Sequence, residues 1–420
     1  MKKEQLILTI LGSSGGAARA FLSLLNHAVK DIHNPLYSQL QNCSIHLIDI
    51  KQKPQSYFKD TYPALYDSFT FHVFDLSDNT LFRNHLQKTG TNLVIDASLA
   101  DAVEMLTCCN EFGVHYINTA LQSPKIDANE HIKRFSLLER QNFFEEHKPT
   151  FTQMTGIICS GMNPGVVQWM AIKLMKQNPT EIPLACFIVE HDTTFYHDPT
   201  LIKEKTVYST WSPAGFLEEG ILNYPLFMKH QTPILLCDTA YEQEFKVTLG
   251  DKQFFGSLMG HEEVINLGKL YDMEVGFLYR INDYMTQLIH DNQHNVDELW
   301  SWNHHVLNPE TGQLIGEDLI GVLLVYKDKE VYMYNTTATQ HVYTQYGTNA
   351  TYFQVACGVY GALASLLLDD LPLGCYFVDE LLLNTDSKYG QYLSYYMKDF
   401  VVGENHTTDG LLFDRMKKIE

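Results

Sequence analysis

A short apolar segment, a glycine-rich turn and a helical pattern follow one another at the start of the 420-residue chain. Leu6–Leu11 is a continuous apolar run, as expected of a parallel strand that is buried on both faces. Gly12–Gly16 supplies the turn, and Ala17–Val29 has the pattern of a helix. A strand that leads through glycines into a helix N-terminus is the first half of a βαβ unit. The sequence therefore predicts an α/β fold with a parallel sheet.

The alternation of strand and helix continues through the first 160 residues. Four further segments have the character of buried strands: Ser44–Asp49, Phe71–Asp75, Asn92–Ser98 and Val114–Asn118. Because helical patterns separate them, residues 1–160 are predicted to form a Rossmann-like doubly wound parallel sheet.

The pattern changes after Gly161–Gly165. Pro164 fits the first turn of a helix that runs to Met175, with Asn163 as its cap. Strand patterns then dominate, so we expect an inserted mixed α+β substrate domain over residues 161–345. Within it, Asn303–Gly316 is expected to be a loop. A long apolar helix that ends at Leu368 opens a segment, 346–420, that is expected to pack back on the first domain.

The glycine-rich turn predicts a dinucleotide site. Gly12, Ser14, Gly15 and Gly16 would let the backbone approach a pyrophosphate, which free N–H groups at the helix N-terminus would bind. Asp49 ends the second strand, near the usual distance for a contact with a ribose hydroxyl. An acid there favours NAD over NADP, because it would repel a 2′-phosphate. An unrelated α/β fold with a glycine-rich turn is the alternative.

Charge and composition argue against several kinds of partner and indicate the cellular compartment. The formal net charge of −20 argues against nucleic acid and anionic membranes as partners. No run of apolar residues approaches the length of a membrane span, and no signal peptide is expected. The eight cysteines are scattered and form no Cys-x-x-Cys motif, so we expect reduced thiols in a cytoplasmic protein.

No metal site is predicted from the sequence. His261-Glu262-Glu263 lacks a second histidine at helical spacing. In Glu190-His191-Asp192 the two acids would share one face of a strand and His191 would point away. That arrangement suits an acidic wall better than a metal site.

Acidic and aromatic residues are concentrated between Glu190 and Gly220. A carboxylate beside an aromatic face suits a cationic ligand, since the ring attracts an ammonium group and the acid neutralises it. Glu190, Asp192, Trp211 and Glu219 are therefore candidates for an amine site. The alternative is a solvated acidic surface over a packed tryptophan.

These motifs resemble those of bacterial homospermidine synthase, within the saccharopine dehydrogenase-like family. The resemblance runs over nearly the whole chain and rests on six segments: Gly161–Gly165, Glu190–Thr193, Thr210–Phe216, Gly260–Glu263, Asn349–Thr351 and Val378–Leu381. It implies a tightly held NAD and aminobutyl transfer between putrescine molecules. Putrescine would be oxidised to an imine, ammonia would leave as a second amine adds, and the new imine would be reduced. The resemblance also implies a homodimer formed through the second domain.

The resemblance assigns roles to individual residues. Trp211 would stabilise iminium charge, Glu190 and Glu219 would bind ammonium groups, and Asn163 would orient the substrate or the nicotinamide. The remaining substrate-binding candidates are Asp192, Phe216, Arg280, Asp318, Ser98 and Asp101. The remaining cofactor-binding candidates, beyond the glycine turn and Asp49, are Asp96, Ala97, Ser98, Asn118, Thr119, Ala120 and Asn163.

Two departures leave other functions open. The glycine turn is atypical of the family, and Arg280 stands where the family has a histidine. A permanent cation would repel a diamine but would bind a carboxylate. One alternative is therefore a saccharopine or carboxynorspermidine dehydrogenase-like NAD(P)-dependent reductase acting on an amino-acid-derived imine. The other is a non-catalytic polyamine- or cofactor-binding protein.

Overall fold

A computed structural model describes residues 5–418 and divides them into two compact units. The first unit contains the described residues up to Ile132 together with Leu138–Val166 and Phe353–Met397. The second contains Lys133–Leu137, Val167–Tyr352 and the described residues from Lys398 onward. The segment 346–420 is thus divided between the units, because two strands after Lys398 pair within the sheet of the second unit.

In chain order, the strands are β1 Ile7–Leu11, β2 Ser44–Asp49, β3 Phe69–Val73, β4 Leu93–Asp96, β5 His115–Asn118, β6 Thr155–Ile158, β7 Ala185–Asp192, β8 Phe195–Tyr196, β9 Thr206–Ser209, β10 Leu226–Lys229, β11 Thr232–Leu235, β12 Gln243–Leu249, β13 Lys252–Met259, β14 Glu274–Arg280, β15 Asn303–Val306, β16 Leu314–Ile315, β17 Glu317–Val325, β18 Glu330–Ala338, β19 Gly374–Phe377, β20 Val401–Asn405 and β21 Met416–Lys418. The α-helices are α1 Gly16–Ala28, α2 Tyr37–Leu40, α3 Gln55–Thr61, α4 Asn79–Thr89, α5 Ala102–Phe112, α6 Pro124–Asp127, α7 Ser136–His147, α8 Val166–Gln177, α9 Pro213–Leu217, α10 Glu262–Leu270, α11 Asp283–Asp291, α12 Thr339–Tyr346, α13 Ala350–Leu368, α14 Val378–Asn384 and α15 Tyr389–Leu393.

The first unit is built on a seven-stranded parallel sheet with the order β19-β6-β5-β4-β1-β2-β3. This is the predicted Rossmann-like arrangement, and the fold class is confirmed. The inner strands are apolar on both faces, as buried parallel strands must be. The order reverses between β1 and β4, so the loops after these strands diverge and leave a crevice at the carboxyl edge of the sheet.

The second unit contains a ten-stranded mixed sheet. Its central strand, β7, pairs in parallel with β14 and antiparallel with β17. The prediction that Asn303–Gly316 is a loop is wrong, because this segment contains β15 and β16, which pair with β9 and β8. These short strands lack the alternation of apolar and polar residues that would have identified them.

Helix α8 begins later than predicted. It starts at Val166, and the bond between Asn163 and Pro164, which precedes it, is cis. Asn163 is therefore not the helix cap, which corrects the expectation from the sequence. Instead, Gly161 and Gly165 approach each other in a tight loop that contains Asn163.

Helix α13 is long and apolar enough to span a membrane by length and composition alone. However, 72% of its most apolar window is buried inside the protein, as in the core helix of a globular protein. No disulfide joins any of the eight cysteines, which all lie within residues 5–418, and Cys237 is the one among them that is exposed. The structure therefore agrees with reduced thiols.

Substitution of Gly12 in the glycine turn should lower the free energy of unfolding more than substitution of Gly90. Gly12 has φ +68° and a Cβ there would lie 2.6 Å from the carbonyl oxygen of Ala97, whereas Gly90 has φ +65° and its nearest atom would lie 3.9 Å away. Both Gly→Ala changes strain a left-handed backbone, at about 1–2 kcal/mol. Gly12→Ala adds overpacking and should lose roughly 1–3 kcal/mol more. Urea unfolding of both variants tests this, and equal losses would contradict the close approach.

Candidate functional site

The glycine turn of the first unit joins the end of β1 to the start of α1. Gly12 lies close to the backbone of Ala97. The backbone N–H of Ser14 donates to Asp49 Oδ2 at 2.9 Å, so the acid at the end of β2 lies directly against the turn. Gly15 precedes the helix and provides no side-chain cap.

This turn fits an anionic ligand. The first amides of α1, from Gly16, have no partners within the helix and carry the positive end of its dipole. Because Gly15 and Gly16 have no Cβ atoms, a phosphate group can approach these amides closely. The helix runs for 13 residues, so its dipole is well developed. The turn therefore has the form of a phosphate-binding site, with Asp49 beside it.

Further along the carboxyl edge, two polar side chains organise the loops that follow β4 and β5. Asp96 accepts hydrogen bonds from the backbone N–H and the hydroxyl of Ser98 and from the Tyr116 hydroxyl. Burial raises the pKa of Asp96, and these donors oppose the rise. Asn118 accepts from the Cys159 N–H and donates to the Ala120 carbonyl across Thr119. These residues lie at the carboxyl edge of the sheet, where the cofactor is predicted to bind. Their hydrogen bonds fix the backbone of the loops that follow β4 and β5.

Asp101 has a structural role that was not predicted from the sequence. It is the N-cap of α5, where it accepts from the backbone N–H groups of Val103 and Glu104, and the Ser123 hydroxyl donates to it at 2.6 Å. The assignment of Asp101 to substrate binding stays a prediction, since a capping carboxylate already has several donors.

The second unit brings three predicted acids to one face of its sheet. Asp192 on β7 lies opposite Asp318 on β17, and Glu190 shares the face of Asp192 because alternate residues of a strand point the same way. Tyr279 on β14 lies beside Glu190 in the register of the parallel pair. All four side chains are buried. We call these four residues the acidic face.

Threonine hydroxyls and a backbone amide bind the two aspartates. Thr210 donates to Asp192 Oδ2 at 2.7 Å, and the Thr194 N–H donates to Asp192 Oδ1. Thr351 donates to Asp318 Oδ2 at 2.6 Å. Burial raises the pKa of both carboxyls, and the charge of Asp192 raises that of Asp318 further. An added positive charge would therefore be stabilised here.

Two buried tyrosine hydroxyls lie near Glu190 of the acidic face, and the pKa of both is raised by burial and further by the charge of Glu190. The hydroxyls of Tyr241 and Tyr279 are buried and have no hydrogen-bond partner within residues 5–418. Phe216 packs near both rings, with centroid distances of 6.3 and 6.2 Å. A buried polar group without a partner is costly, so these hydroxyls indicate where a polar ligand can bind.

A second acidic group surrounds His261. Its Nδ1 bonds to Glu263 and lies 3.6 Å from Glu262, while its Nε2 lies 3.6 Å from Glu219 Oε2. Burial alone would lower the pKa of His261, but the charges of Glu263 and Glu219 outweigh it and raise the pKa to about 10. His261 is therefore a cation at neutral pH. Its ring contacts Phe277, which stacks on Tyr279 of the acidic face.

Trp211 follows β9 and is partly exposed. A Cβ atom at Gly215 would lie 2.8 Å from the Trp211 ring. Any larger residue at position 215 would therefore displace the tryptophan ring. The Ser212 side chain caps the short helix α9, and a π-helical turn, Glu218–Leu222, then carries Glu219. The motif thus places Glu219 near His261 by a sequence of tight local turns.

Arg280 does not lie with the acidic face. It is the neighbour of His191 in the pairing of β14 with β7, so both point away from Glu190 and Tyr279. Its guanidinium contacts Asp283 at 2.8 Å and Glu244 at 3.5 Å. The structure therefore does not bring Arg280 together with the predicted amine-binding acids.

Sequence reasoning missed Tyr241, Tyr279 and the role of His261. Tyr279 precedes Arg280 on a predicted strand, so alternation alone indicated that the two point to opposite faces. The position of His261 beside Glu219 had no signal in the sequence, because the two residues belong to separate elements. The structure brings together Glu190, Asp192, Asp318 and Phe216 of the predicted set.

Similarity to solved structures extends over nearly the whole chain. No protein-family model matches it, and no curated protein matches its sequence. The homospermidine synthase from Legionella pneumophila, solved in complex with NAD, has a TM-score of 0.74 at 19% identity, over 96% of this chain and 92% of that chain. Apo saccharopine dehydrogenase (L-Glu forming) from Saccharomyces cerevisiae has a TM-score of 0.57 at 9% identity, over 95% and 100%. At these identities the similarity shows a shared saccharopine dehydrogenase-like fold.

The raised pKa of His261 predicts a dependence of stability on pH. Histidine titrates near 6.5 when unperturbed and near 10 in this site. The resulting stabilisation is complete below about pH 6.5 and is lost as the pH rises towards 10. His261→Gln should therefore lower the free energy of unfolding most in acid and neutral solution, because it leaves Glu263 buried without its cation.

Urea unfolding of the wild type and His261→Gln across this pH range measures the effect. The difference between the two proteins should shrink as the pH rises. His33→Gln, at an exposed histidine, is the matched control and should show no such change. A constant difference for His261→Gln would mean that His261 is neutral in the folded protein.

Proposed function

We propose that the protein is an NAD-dependent homospermidine synthase-like transferase that moves an aminobutyl group between two molecules of putrescine. Its products would be homospermidine and ammonia, with no net oxidation or reduction. The shared fold and the acidic face support this proposal. The fold alone suits many reactions, so the argument depends on the side chains.

The observation that carries the proposal is the acidic face. Asp192 and Asp318 face each other, are fully buried, and have pKa values raised by burial. An ammonium group beside them would favour their ionised forms and would give the buried charges a partner. The hydroxyl of Tyr279 could accept a hydrogen bond from the same ammonium group. A cationic amine would therefore neutralise both buried aspartates and would give the Tyr279 hydroxyl a hydrogen-bond partner.

The group around His261 provides a second anionic position. A diamine carries two ammonium groups, and two separate sets of carboxylates suit such a molecule. Glu219 would bind one amine, and Trp211 would stabilise positive charge on the reacting carbon by a cation–π contact. His261, held protonated by its acids, can hold a proton at Nε2, 3.6 Å from Glu219, for transfer as the amines exchange.

The first unit would hold NAD. Gly12, Gly15 and Gly16 would admit the pyrophosphate to the amides of α1, and Asp49 would accept a hydrogen bond from the adenosine ribose. Bound NAD supplies a reversible hydride acceptor for the amine-bearing carbon. Asp96, Asn118 and their loops would shape the backbone around the cofactor.

The runner-up function is an NAD(P)-dependent reductase of the saccharopine dehydrogenase type. The fold similarity to the yeast enzyme favours it. Its main support in the sequence was Arg280 as a ligand for a substrate carboxylate. That support weakens, since Arg280 lies on the opposite face of the sheet from Glu190. A protein that binds a cofactor or polyamine without turnover is the third outcome that an assay must distinguish.

Incubation with putrescine and a catalytic amount of NAD⁺ tests the proposal. We expect homospermidine and ammonia in equal amounts by mass spectrometry and ammonia assay, without accumulation of NADH. Oxidation of NAD(P)H only in the presence of a carbonyl acid and an amino acid would favour the reductase. Tight binding of NAD without any product would favour the non-catalytic protein.

Trp211→Ala should separate catalysis from cofactor binding. We expect loss of turnover by about 10-fold or more, since a desolvated cation–π contact contributes about 2 kcal/mol. NAD affinity should be unchanged, because Trp211 belongs to the second unit and the glycine turn to the first. Trp300→Ala, at an exposed tryptophan of the same unit, is the control and should retain activity. Full activity of Trp211→Ala would remove Trp211 from the site.

A further inference from the structure

Three histidines of the first unit lie together although they are distant in sequence. His46 is on β2, His72 is on the neighbouring edge strand β3, and His85 is on α4. One ring nitrogen of each lies within 4.8 Å of the others. We call these residues the histidine trio. They take no part in the proposed amine chemistry.

The rings of the trio converge closely. His46 Nδ1 lies 2.9 Å from His72 Nε2. Ring centroids are 5.1 Å apart for His46 and His72, 5.3 Å for His46 and His85, and 4.6 Å for His72 and His85. Two nitrogens on a tetrahedral Zn²⁺, each about 2.0–2.1 Å from the metal, are separated by roughly 3.3 Å. A shift of a few tenths of an ångström would therefore convert the hydrogen bond into two metal–ligand bonds.

All three rings are in the form that binds metals. Burial lowers the pKa of each histidine, and the neighbouring rings lower those of His46 and His85 further, the latter to about 3. Each imidazole is therefore neutral at pH 7 and has one unprotonated nitrogen whose lone pair can bind a metal. Neutral imidazole is the usual ligand for zinc, nickel and copper.

A chain of hydroxyls orients the third ring. The Thr9 hydroxyl lies 3.0 Å from His85 Nε2 and 2.8 Å from the Thr91 hydroxyl, which in turn bonds to Thr89. Metal-binding histidines commonly use their second nitrogen for such a contact, which fixes the ring and its tautomer. The trio therefore has both converging nitrogens and outer support.

We propose that His46, His72 and His85 form a binding site for one divalent transition-metal ion of the zinc type. Binding requires no net release of protons: the proton shared between His46 and His72 moves to the other nitrogen of its own ring. Water would occupy the fourth position. The ion would connect two strands and a helix, and the site would be independent of the proposed transferase activity. The alternative is a hydrogen-bonded trio that does not bind metal.

Titration of the chelator-treated full-length protein with Co²⁺ provides the first test. Tetrahedral Co²⁺ absorbs in the visible range, and we expect these bands to saturate at about one equivalent. Zn²⁺ should then displace Co²⁺ and should raise the melting temperature by several degrees, because the folded state alone presents the site. Absence of visible bands and of a thermal shift at micromolar metal would overturn the proposal.

His72→Gln locates the ion. His72 is on an edge strand and is partly exposed, so the variant should fold. It should lower Co²⁺ affinity at least 10-fold, as loss of a ligand does, and abolish the thermal shift. His115→Gln is the matched control: His115 is also partly buried on a strand of this sheet, accepts a bond from the Thr155 N–H, and lies outside the trio. Unchanged binding by His72→Gln would place the metal elsewhere, for example at His261, and would refute the proposal.

Discussion

The pairing of β7 with β17 is the constraint on which the candidate site depends, because it places two carboxyl groups, Asp192 and Asp318, opposite each other in the interior. Removing two such groups from water costs several kcal/mol per ion unless charge and hydrogen bonds compensate. Threonine hydroxyls compensate in part, and the raised pKa values show that part of the cost remains. A cationic ligand would remove it. Burial of these two carboxyl groups destabilises the ligand-free protein. An amine that neutralises them would remove this cost, and the free energy recovered would strengthen its binding.

Alternation along β7 and β14 separates charges of opposite sign. Glu190 and Asp192 point to one face with Tyr279, whereas His191 and Arg280 point to the other. Had Arg280 shared the acidic face, it would have neutralised the aspartates within the protein and left little attraction for a substrate cation. Its pairing with Asp283 and Glu244 keeps its charge on the opposite face of the sheet from the acids. An arginine at this position, where the family that the sequence resembles has a histidine, is therefore compatible with the proposed amine substrate.

Much of the fold could be predicted because its signals are local. The strand, glycine turn and helix from Leu6 to Val29 are adjacent in the chain, and the same is true of the later strands of the first unit. The three acids that the structure brings to one face were also among the predicted residues, through alternation and the family resemblance. What could not be predicted depends on long-range register or on loop geometry. His261 reaches Glu219 only through the tight turns after Trp211, and Asn163 lies in a loop closed by Gly161 and Gly165 rather than at a helix start.

The histidine trio is a second feature that could not be predicted from the sequence alone. A search for metal ligands along a sequence relies on short spacings such as two histidines on one helical turn. His46, His72 and His85 have no such spacing, and each taken alone reads as an ordinary core residue. They meet because β2 and β3 are neighbours in a parallel sheet and because α4 packs against them. Strand pairing therefore assembles the acidic face, and strand pairing together with the packing of α4 assembles the trio, because in both cases residues that are distant in the chain bring their side chains to one face of a sheet.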